Sequence, residues 1–424
     1  MRTIGCALCV LLTGCVLRGQ VGDDTTVLDA AVPLAPRDSH TPLDVLFVID
    51  NSGSMNEEQQ NLAFNASSFN DPASACNAAG FAQLQLFVDA NREVATRLWP
   101  PNMQVIYEAC GMIERLQLWH NKFHLGVITT DLNDCDRPYG QSTRGSVPQR
   151  GCLQTSEADP ELAVLTWDTP DLPTKFYNIV RNVGTYGSAY ERGLEAARHY
   201  LMPGHNVPAF QACDRPHDCT EPNDCVEANC PSTTRQHFLR GSEANDQGQQ
   251  VPTALIVVFV SDEDDCSHTE ALDENVSGNT NLCYEDARPE LLIPVATYVD
   301  YLQHIKASPN LVDVAVIGGL LDSGSGMQAA GCKYTASGPS NDCAAAHGNS
   351  VATCTNCVNS TPVCMCHPVP VTCDGISYPA ANCCTADAAK RYHALASQLG
   401  SRRLSSICSP DYFAALVDLV ADVR

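Results

Sequence analysis

The fold is decided by the stretch Leu43-Asp-Val-Leu-Phe-Val-Ile-Asp-Asn-Ser-Gly-Ser-Met55. Its apolar run, residues 45–49, is rich in β-branched side chains and too short for a helix, which is typical of a strand buried on both faces of a sheet. The chain then turns polar at once, with Asp50, Ser52 and Ser54 at alternate positions. Because ligands of open α/β sheets bind at the carboxyl ends of the strands, we expect these three side chains to converge in a ligand site.

The oxygens of this stretch are typical ligands of a hard cation. Carboxylate and hydroxyl groups without sulfur or imidazole suit Mg²⁺, Ca²⁺ or Mn²⁺ rather than zinc or copper. The same residues are also good turn formers, in which Asp50 would cap the helix that follows. From this stretch alone, a cation site and an ordinary turn are both open, and further ligands have to come from other parts of the chain.

Two later segments have the same character of a buried strand that ends in polar residues. His124-Leu-Gly-Val-Ile-Thr-Thr130 is followed by Asp131, and Thr253-Ala-Leu-Ile-Val-Val-Phe-Val260 runs into Ser261-Asp-Glu-Asp-Asp-Cys-Ser267. Carboxylates gathered beside a buried strand end would repel one another unless a cation compensates them, which favours a cation site at the strand ends near Asp262 over an ordinary turn. A solvated acidic loop is the interpretation for the next two acidic residues, Glu263 and Asp264.

A third segment, residues 184–198, predicts a helix that starts in a Gly- and Ser-containing turn. Either the Thr185 or the Ser188 hydroxyl could reach a cation at the strand ends, and either could instead only cap the helix. The apolar positions expected along this helix are Ala189, Leu194, Ala197 and Leu201.

The remaining pattern alternates between helix and strand, which predicts an α/β fold with a doubly wound, mostly parallel sheet and helices on both faces. Residues 133–172 contain several prolines and little periodicity, and we interpret them as a surface loop pinned by a Cys135–Cys152 bridge. Further helices are expected at 62–69, 84–98, 291–305, 386–399 and 412–423, and further strands at 312–318 and 404–407.

Charge and composition exclude some classes of function. The 424 residues carry 25 basic and 49 acidic side chains, for a net charge of −24. Such acidity argues against nucleic-acid binding and against docking on anionic lipid, whereas it is compatible with cation binding and with solubility outside the cell.

The amino terminus resembles a bacterial lipoprotein signal peptide, residues 1–14, followed by a flexible tether, residues 15–42. Leu12-Thr-Gly-Cys15 resembles a lipobox, in which Cys15 would carry the lipid after cleavage. A signal peptide cleaved without lipid attachment is the alternative. Because no later run approaches about 18 apolar residues, acyl chains would supply the membrane anchor. Val16 favours the outer membrane, by resemblance to enterobacterial sorting.

The cysteine count supports export. Of 23 cysteines, two would leave with the signal peptide and one would carry lipid, and the remaining even number predicts a disulfide framework. Many of these cysteines fall in two insertions, at about residues 205–235 and 325–385. Behind a signal peptide we expect disulfides rather than zinc sites there.

The motifs in their order resemble the von Willebrand factor A domain lipoproteins of myxobacteria and their deltaproteobacterial relatives. The resemblance covers the domain at residues 43–424 apart from the insertions, and it includes Glu191 in the segment that starts at Gly184. It implies one divalent cation in a metal-ion-dependent adhesion site. Its ligands would be Ser52 and Ser54 directly, the hydroxyl of Thr185 or Ser188, and Asp50 and Asp262 largely through water.

The leading hypothesis is a non-enzymatic envelope protein whose cation binds a carboxylate of a protein or other extracellular ligand. One alternative is a metal-dependent hydrolase that uses Asp50, Asp262, Asp264 and Asp265. Only His268 is close enough in sequence to these motifs to act as the acid or base of such a hydrolase. We interpret that residue as a solvated side chain. Another alternative is a structural envelope protein that is held together by disulfides and whose metal site is vestigial.

Overall fold

The computed structural model of the chain describes part of the sequence from residue 41 onward, and all described residues belong to one compact unit, Ala35–Arg424. The predicted signal peptide, the tether up to residue 40, Cys15 and the insertion at about 205–235 lie outside the described residues. The described ranges are 41–52, 55–71, 73–95, 99–119, 122–132, 151–156, 158–159, 162–185, 187, 191–202, 238–244, 248–268, 291–322, 327–329, 334–335, 338–339, 371–373, 376–378, 386, 389–407 and 412–421.

Within the described residues, six strands form the central sheet: β1 (Leu43–Ile49), β2 (Phe123–Thr129), β3 (Leu165–Thr166), β6 (Ala254–Val260), β7 (Val312–Gly318) and β14 (Arg403–Ser406). Their spatial order is β14-β7-β6-β1-β2-β3. All neighbours pair in parallel except β2 and β3, so the sheet is mixed and mostly parallel. This confirms the prediction of an α/β fold with a mostly parallel sheet.

The other strands in the described part of the chain form four short two-stranded hairpins. One of them, β4 (Ser242–Ala244) with β5 (Gln250–Pro252), directly precedes β6. The others lie after β7, and most of their residues fall within the predicted insertion at 325–385, whose expected disulfides lie outside the described contacts. They are β8 (Leu320–Asp322) with β9 (Met327–Ala329), β10 (Tyr334–Thr335) with β11 (Gly338–Pro339), and β12 (Val371–Cys373) with β13 (Ile376–Tyr378).

Helices pack on both faces of the sheet because the central strands are apolar on both sides. In β1, Val45 and Phe47 face one apolar cluster, whereas Leu46 and Val48 face the other. The first cluster includes side chains of α1 (Asn56–Asn65), α4 (Met112–Trp119), α5 (Leu172–Asn182) and α9 (Phe413–Ala421). The second includes side chains of α6 (Gly193–Leu201), α7 (Val295–His304) and α8 (Lys390–Gln398).

A smaller apolar cluster lies between β1 and β2 in the sequence. It is formed by α2 (Ala78–Ala95), α3 (Pro101–Glu108) and one side of α4. A Cys76–Cys110 disulfide closes this part of the chain, and such a link restricts the unfolded state of the 34 residues that it spans. Cys152 and Cys266 are disulfide-bonded as well, and the expected partner of Cys152, Cys135, lies outside the described residues.

The interpretation of residues 133–172 as a surface loop was wrong for its second half. Residues 151–156 are buried, Gln154 N donates to Val127 O at 2.7 Å, and β3 adds an edge strand. The sequence patterns predicted no element for residues 173–183, where most of α5 lies. Pro173 stands in the first turn of that helix, where its missing N–H has no intrahelical partner to lose. The first turn of α3 likewise contains a proline, Pro101.

Charged side chains are buried at the amino edge of the sheet, at the start of β1. The Lys306 ammonium donates to Asp44 Oδ2 at 2.8 Å and to Thr253 Oγ1 at 2.8 Å. Arg240 Nε donates to Asp44 Oδ1 at 2.8 Å. This cluster ties the chain that enters β6 to β1, and it pairs a carboxylate that is completely buried.

In the part of the chain that the structure describes, no helix is both long enough and apolar enough to span a membrane.

Candidate functional site

Two neighbouring strands of the sheet end at the candidate site. β1 and β6 run in parallel, with Ile49 opposite Val260 at their carboxyl ends. The strand order changes direction between them, since β2 and β3 lie beyond β1 and β7 and β14 lie beyond β6. In open α/β sheets, ligands bind in the crevice at such a switch point. The segments that begin at Asp50 and Ser261 leave the sheet here.

Asp50 joins these two segments. Its side chain is completely buried, Ser52 N donates to its Oδ1 at 2.7 Å, and the Ser261 hydroxyl donates to its Oδ2 at 2.6 Å. Its backbone N–H donates to Val260 O at 2.9 Å. Hydrogen bonds to an ionised carboxylate are strong, so they hold both oxygens of Asp50 in fixed directions.

Two other predicted ligands belong to the same segments. Ser52 and Asp262 are both almost completely buried, and the Ser52 side chain hydrogen-bonds the Asp50 carboxylate. The structure therefore brings Asp50, Ser52 and the Ser261–Asp262 segment to one edge of the sheet. Ser54 lies outside the described residues.

The segment at residues 184–187 lies against the same edge. The Gln59 side-chain amide donates to Asp50 O at 2.9 Å and to Gly184 O at 2.8 Å. Gly187 N donates to Asn51 O at 2.7 Å. The half-buried Thr185 is therefore in the third segment of the site, whereas Ser188 lies outside the described residues. The helix itself, α6, begins at Gly193, later than the sequence predicted.

Glu191 brings a further carboxylate to the site. Only 1% of this residue is exposed, its Oε2 accepts a hydrogen bond from the Thr130 hydroxyl, and its carboxylate contacts that of Asp50. Among the described residues, no hydrogen-bond donor reaches the buried Oε1. A buried carboxylate oxygen without a donor is costly unless a proton or a cation compensates it.

The electrostatics of the site are dominated by burial and by negative charge. Burial raises the pKa of Asp50, although the hydrogen bonds from Ser261 and Ser52 oppose the shift. The pKa of Glu191 is held well above its usual range, first by burial and then by the charges of Asp50, Glu263 and Asp131. Because these charges all have the same sign, the site attracts positive charge.

Asp264 and Asp265 have a different role from the one the sequence suggested. Asp264 Oδ1 accepts a hydrogen bond from Arg391 N at 2.9 Å, and Asp265 Oδ1 accepts one from Leu194 N at 2.9 Å. Arg391 Nε also donates to Asp265 Oδ2 at 3.0 Å. Both carboxylates therefore satisfy N–H groups in the first turns of α8 and α6. The interpretation of Asp264 as a solvated residue was wrong, because only 6% of it is exposed, whereas Glu263 is half-buried.

His268 is not the solvated side chain that we expected. Only 5% of the residue is exposed, and its Nδ1 lies 3.1 Å from Cys266 O. Burial, together with the charges of Arg192 and Arg391, lowers the pKa of His268 to about 3. The ring is therefore neutral at physiological pH.

Sequence reasoning assigned no role to Thr130, and it noted Glu191 only within the family resemblance. A signal for Thr130 was present, since it directly follows β2, the parallel neighbour of β1. For Glu191 no local signal existed, because its position depends on packing against the end of β2, where Arg192 N donates to Thr130 O at 3.3 Å.

The ligand atoms that side chains offer at this edge fit a hard cation. They are carboxylate and hydroxyl oxygens, and one carboxylate oxygen, Glu191 Oε1, is buried without a donor in the described structure. Among the residues that the structure describes, no three His, Cys, Asp or Glu side chains by themselves form a group that could hold a metal ion. Hydroxyl ligands are therefore essential to the fit, and two of the candidates, Ser54 and Ser188, lie outside the described residues.

Models of known protein families give no match to this chain. The search of curated proteins gives no match either.

Proposed function

We propose that this chain is a non-enzymatic binding protein of the cell envelope, anchored through lipid on Cys15, with a von Willebrand factor A-like domain. The domain binds one divalent cation, Mg²⁺ or alternatively Ca²⁺ or Mn²⁺, at the carboxyl edge of its sheet. The partner is a protein or other extracellular ligand that presents a carboxylate.

One observation carries this proposal. Asp50 and the Ser261–Asp262 segment are far apart in sequence, yet the Ser261 hydroxyl donates to Asp50 Oδ2 at 2.6 Å at the switch point of the sheet. Glu191 faces the same carboxylate with a buried oxygen that lacks a donor among the described residues. An arrangement that places buried acidic groups together is costly, and a bound cation offsets that cost.

Each residue has a part in holding the ion and presenting it. Asp50 is held by Ser52 N and Ser261 Oγ, so its carboxylate cannot turn away from the cation position. The hydroxyl of Ser52 and the carboxylate of Asp262 supply further oxygens from the same edge. When bound, the cation supplies a positive centre with an open coordination position, to which a partner carboxylate binds.

The order of the motifs along the chain supports the von Willebrand factor A-like assignment. The resemblance implies that the segments at Asp50, Gly184 and Ser261 meet above one doubly wound sheet. If the six strands of the sheet are numbered 1 to 6 in chain order, their spatial order is 3-2-1-4-5-6, which is an order of doubly wound sheets. The three segments adjoin at the switch point of this sheet.

The hydrolase hypothesis has less support. Asp264 and Asp265 are engaged with Arg391 and with the first turns of two helices, so they do not belong to the Asp50 carboxylate cluster. His268 is buried and hydrogen-bonded to the backbone. A two-metal hydrolase needs its carboxylates around shared ions, and this arrangement does not supply them.

A metal-binding and carboxylate-probe experiment tests the proposal on the full chain, purified without chelator. We expect a single divalent cation per chain by elemental analysis. With Mn²⁺ as the bound ion and acetate as the carboxylate probe, the protein-bound metal should shorten the relaxation times of the acetate protons. EDTA should abolish the effect.

Two aspartates of β1 and its carboxyl end provide matched variants. Asp50→Asn should lose the cation and the acetate effect, whereas Asp44→Asn alters an equally buried carboxylate at the opposite end of the strand and should retain both. A wild-type chain that holds no divalent cation, or an Asp50→Asn variant that holds it as tightly as the wild type, would contradict the proposal.

A further inference from the structure

Two buried polar atoms beside the candidate site have no hydrogen-bond partner in the part of the chain that the structure describes. They are Oε1 of Glu191 and the hydroxyl oxygen of Tyr392, and each of these residues is 1% exposed. Nearly all buried polar groups in folded proteins are paired, either with protein atoms or with ordered water. A carboxylate oxygen accepts hydrogen bonds and a phenol hydroxyl donates one, so the two atoms are chemically complementary.

Gly193 brings the Tyr392 hydroxyl close to the surroundings of Glu191. A Cβ atom at Gly193 would overlap this hydroxyl, and it would lie 3.2 Å from Cγ2 of Thr130. The Thr130 hydroxyl in turn donates to Glu191 Oε2. Because glycine has no side chain, the Tyr392 hydroxyl approaches the pair of Thr130 and Glu191 beside the first turn of α6. Burial, followed by the charges of Asp265 and Glu191, holds the pKa of Tyr392 well above its usual range.

The ring of Tyr392 is held in a fixed position. It packs against Phe259 of β6, with the ring centroids 5.0 Å apart. The preceding residue, Arg391, donates from its backbone N to Asp264 Oδ1 at 2.9 Å and from Nε to Asp265 Oδ2 at 3.0 Å, in the loop that follows β6. The direction of the hydroxyl is therefore set before a cation binds, and ordering it on binding costs little side-chain entropy.

Glu191 is attached to the ends of three strands. Its Oε2 accepts a hydrogen bond from Thr130, directly after β2. Its backbone carbonyl accepts one from Cys266 N, in the loop after β6, and its carboxylate contacts that of Asp50, directly after β1. Of the two carboxylate oxygens, Oε1 is the one left for a further hydrogen bond.

We propose that Tyr392 is a positioning residue of the cation site. Its hydroxyl donates to buried water that in turn donates to Glu191 Oε1, and this bridge fixes the Glu191 carboxylate beside Asp50. The inference rests on the proposed function. Tyr392 acts on Asp50 through Glu191, and neither Tyr392 nor Glu191 has to contact the ion. The bridge gives α8, in which the sequence motifs placed no ligand, a part in the site.

The bridge limits the directions in which Asp50 can turn. Ser52 N donates to one oxygen of Asp50 and the Ser261 hydroxyl to the other, while Glu191 contacts the same carboxylate. Removing a hydrogen-bond partner that orients a metal ligand typically lowers metal affinity by about 10- to 100-fold. Without the Tyr392 hydroxyl, Glu191 is less fixed, and Asp50 loses one of the three contacts that direct it.

Calorimetric titration of the full chain with Mg²⁺ tests the inference. Tyr392→Phe keeps the ring and removes the hydroxyl, and it should weaken Mg²⁺ binding by about tenfold. Tyr412→Phe is the matched control, because the Tyr412 hydroxyl is equally buried and donates to Ile407 O beside β14, the outermost described strand on that side of the sheet. This control should bind Mg²⁺ like the wild type.

Fluorine NMR of the full chain labelled with 3-fluorotyrosine gives a readout that a merely structural role would not move. The signal that disappears in Tyr392→Phe belongs to Tyr392, and it should shift when Mg²⁺ binds. The signal of Tyr412, assigned in the same way, should stay in place. In EDTA, the urea midpoint of Tyr392→Phe should fall no further than that of Tyr412→Phe, which separates a mispositioned ligand from a damaged fold.

The outcomes separate this inference from the proposed function. If Asp50→Asn abolishes cation binding but Tyr392→Phe binds Mg²⁺ like the wild type, the cation site stands and Tyr392 has no part in it. Equal losses of affinity in Tyr392→Phe and Tyr412→Phe, or a Tyr392 signal that Mg²⁺ does not move, would also overturn the inference. A wild type that binds no Mg²⁺, Ca²⁺ or Mn²⁺ would overturn both proposals.

Discussion

Gly187 shows how closely the segments of the site pack together. A Cβ atom at this position would overlap the side-chain amide of Asn51, while Gly187 N donates to Asn51 O at 2.7 Å. Only a residue without a side chain allows this approach. Glycine here keeps the segment of Thr185 beside the segment of Asp50.

We predict that Gly187→Ala separates these segments. The overlap should destabilise the fold by about 1–3 kcal/mol and weaken divalent-cation binding, as measured by urea unfolding and by calorimetry. Gly241→Ala is the control, because a Cβ there meets nothing within 4 Å. If Gly187→Ala bound the cation like the wild type, the contact with Asn51 would not matter for the site.

At the same scale, the chemical type of a residue did not fix its role. Asp262 and Asp264 are both acidic, both almost completely buried, and separated by a single residue. Asp264 nevertheless accepts a hydrogen bond from the first turn of α8, while Asp262 lies next to the Ser261 hydroxyl that holds Asp50. The turn after β6 directs them to different surroundings, and no local pattern specifies that.

At the scale of elements, the loop after β6 joins two helices to the site. Asp265 accepts hydrogen bonds from Leu194 N in α6 and from Arg391 Nε in α8, and the Ser267 hydroxyl donates to it at 2.7 Å. Ser267 Oγ in turn accepts a hydrogen bond from Glu195 N at 3.0 Å. The positions of both helices therefore depend on this loop.

Arg391→Ala tests this dependence. The change leaves the buried carboxylate of Asp265 without its cationic partner, so we expect a loss of about 3–5 kcal/mol in the free energy of unfolding. Lys175→Ala removes the partner of Asp159 in an ion pair that is partly exposed, and it should cost about 1 kcal/mol or less. Urea unfolding of both variants gives the comparison. Equal costs would show that Arg391 is not a structural anchor.

At the scale of the whole molecule, the amino edge and the carboxyl edge of the sheet contain different kinds of charged group. The amino edge holds a charge cluster in which Lys306 and Arg240 both bind Asp44. The carboxyl edge gathers acidic groups around Asp50. A seven-residue strand separates the two edges, which at a rise of about 3.3 Å per residue is roughly 20 Å.

We predict that Lys306→Met destabilises the protein without changing cation affinity. Asp44 would keep Arg240 but lose a charged hydrogen bond, which should cost about 1.5–3 kcal/mol. The affinity for Ca²⁺, measured by calorimetry under conditions where the variant is folded, should equal that of the wild type. A parallel fall in both quantities would mean that the edges are coupled through β1.

The sequence by itself determined the class of the fold and five of the six strands described in the central sheet, whereas β3 was missed. Runs such as residues 45–49 and 254–260 are apolar at every position, so only a strand covered on both faces can bury them. It also placed Asp50, Ser52 and Asp262 at strand ends, since each directly follows or nearly follows such a run.

The tertiary structure alone decided which of these groups meet. The adjacency of β1 and β6, the return of the chain at Glu191 to the end of β2, and the burial of Asp264 and His268 all follow from long-range packing. Local sequence patterns report how a segment buries its own side chains. The hydrogen-bond partner of a buried carboxylate can be more than a hundred positions away in the sequence, as Ser261 is from Asp50. Only the packed sheet brings two such residues together.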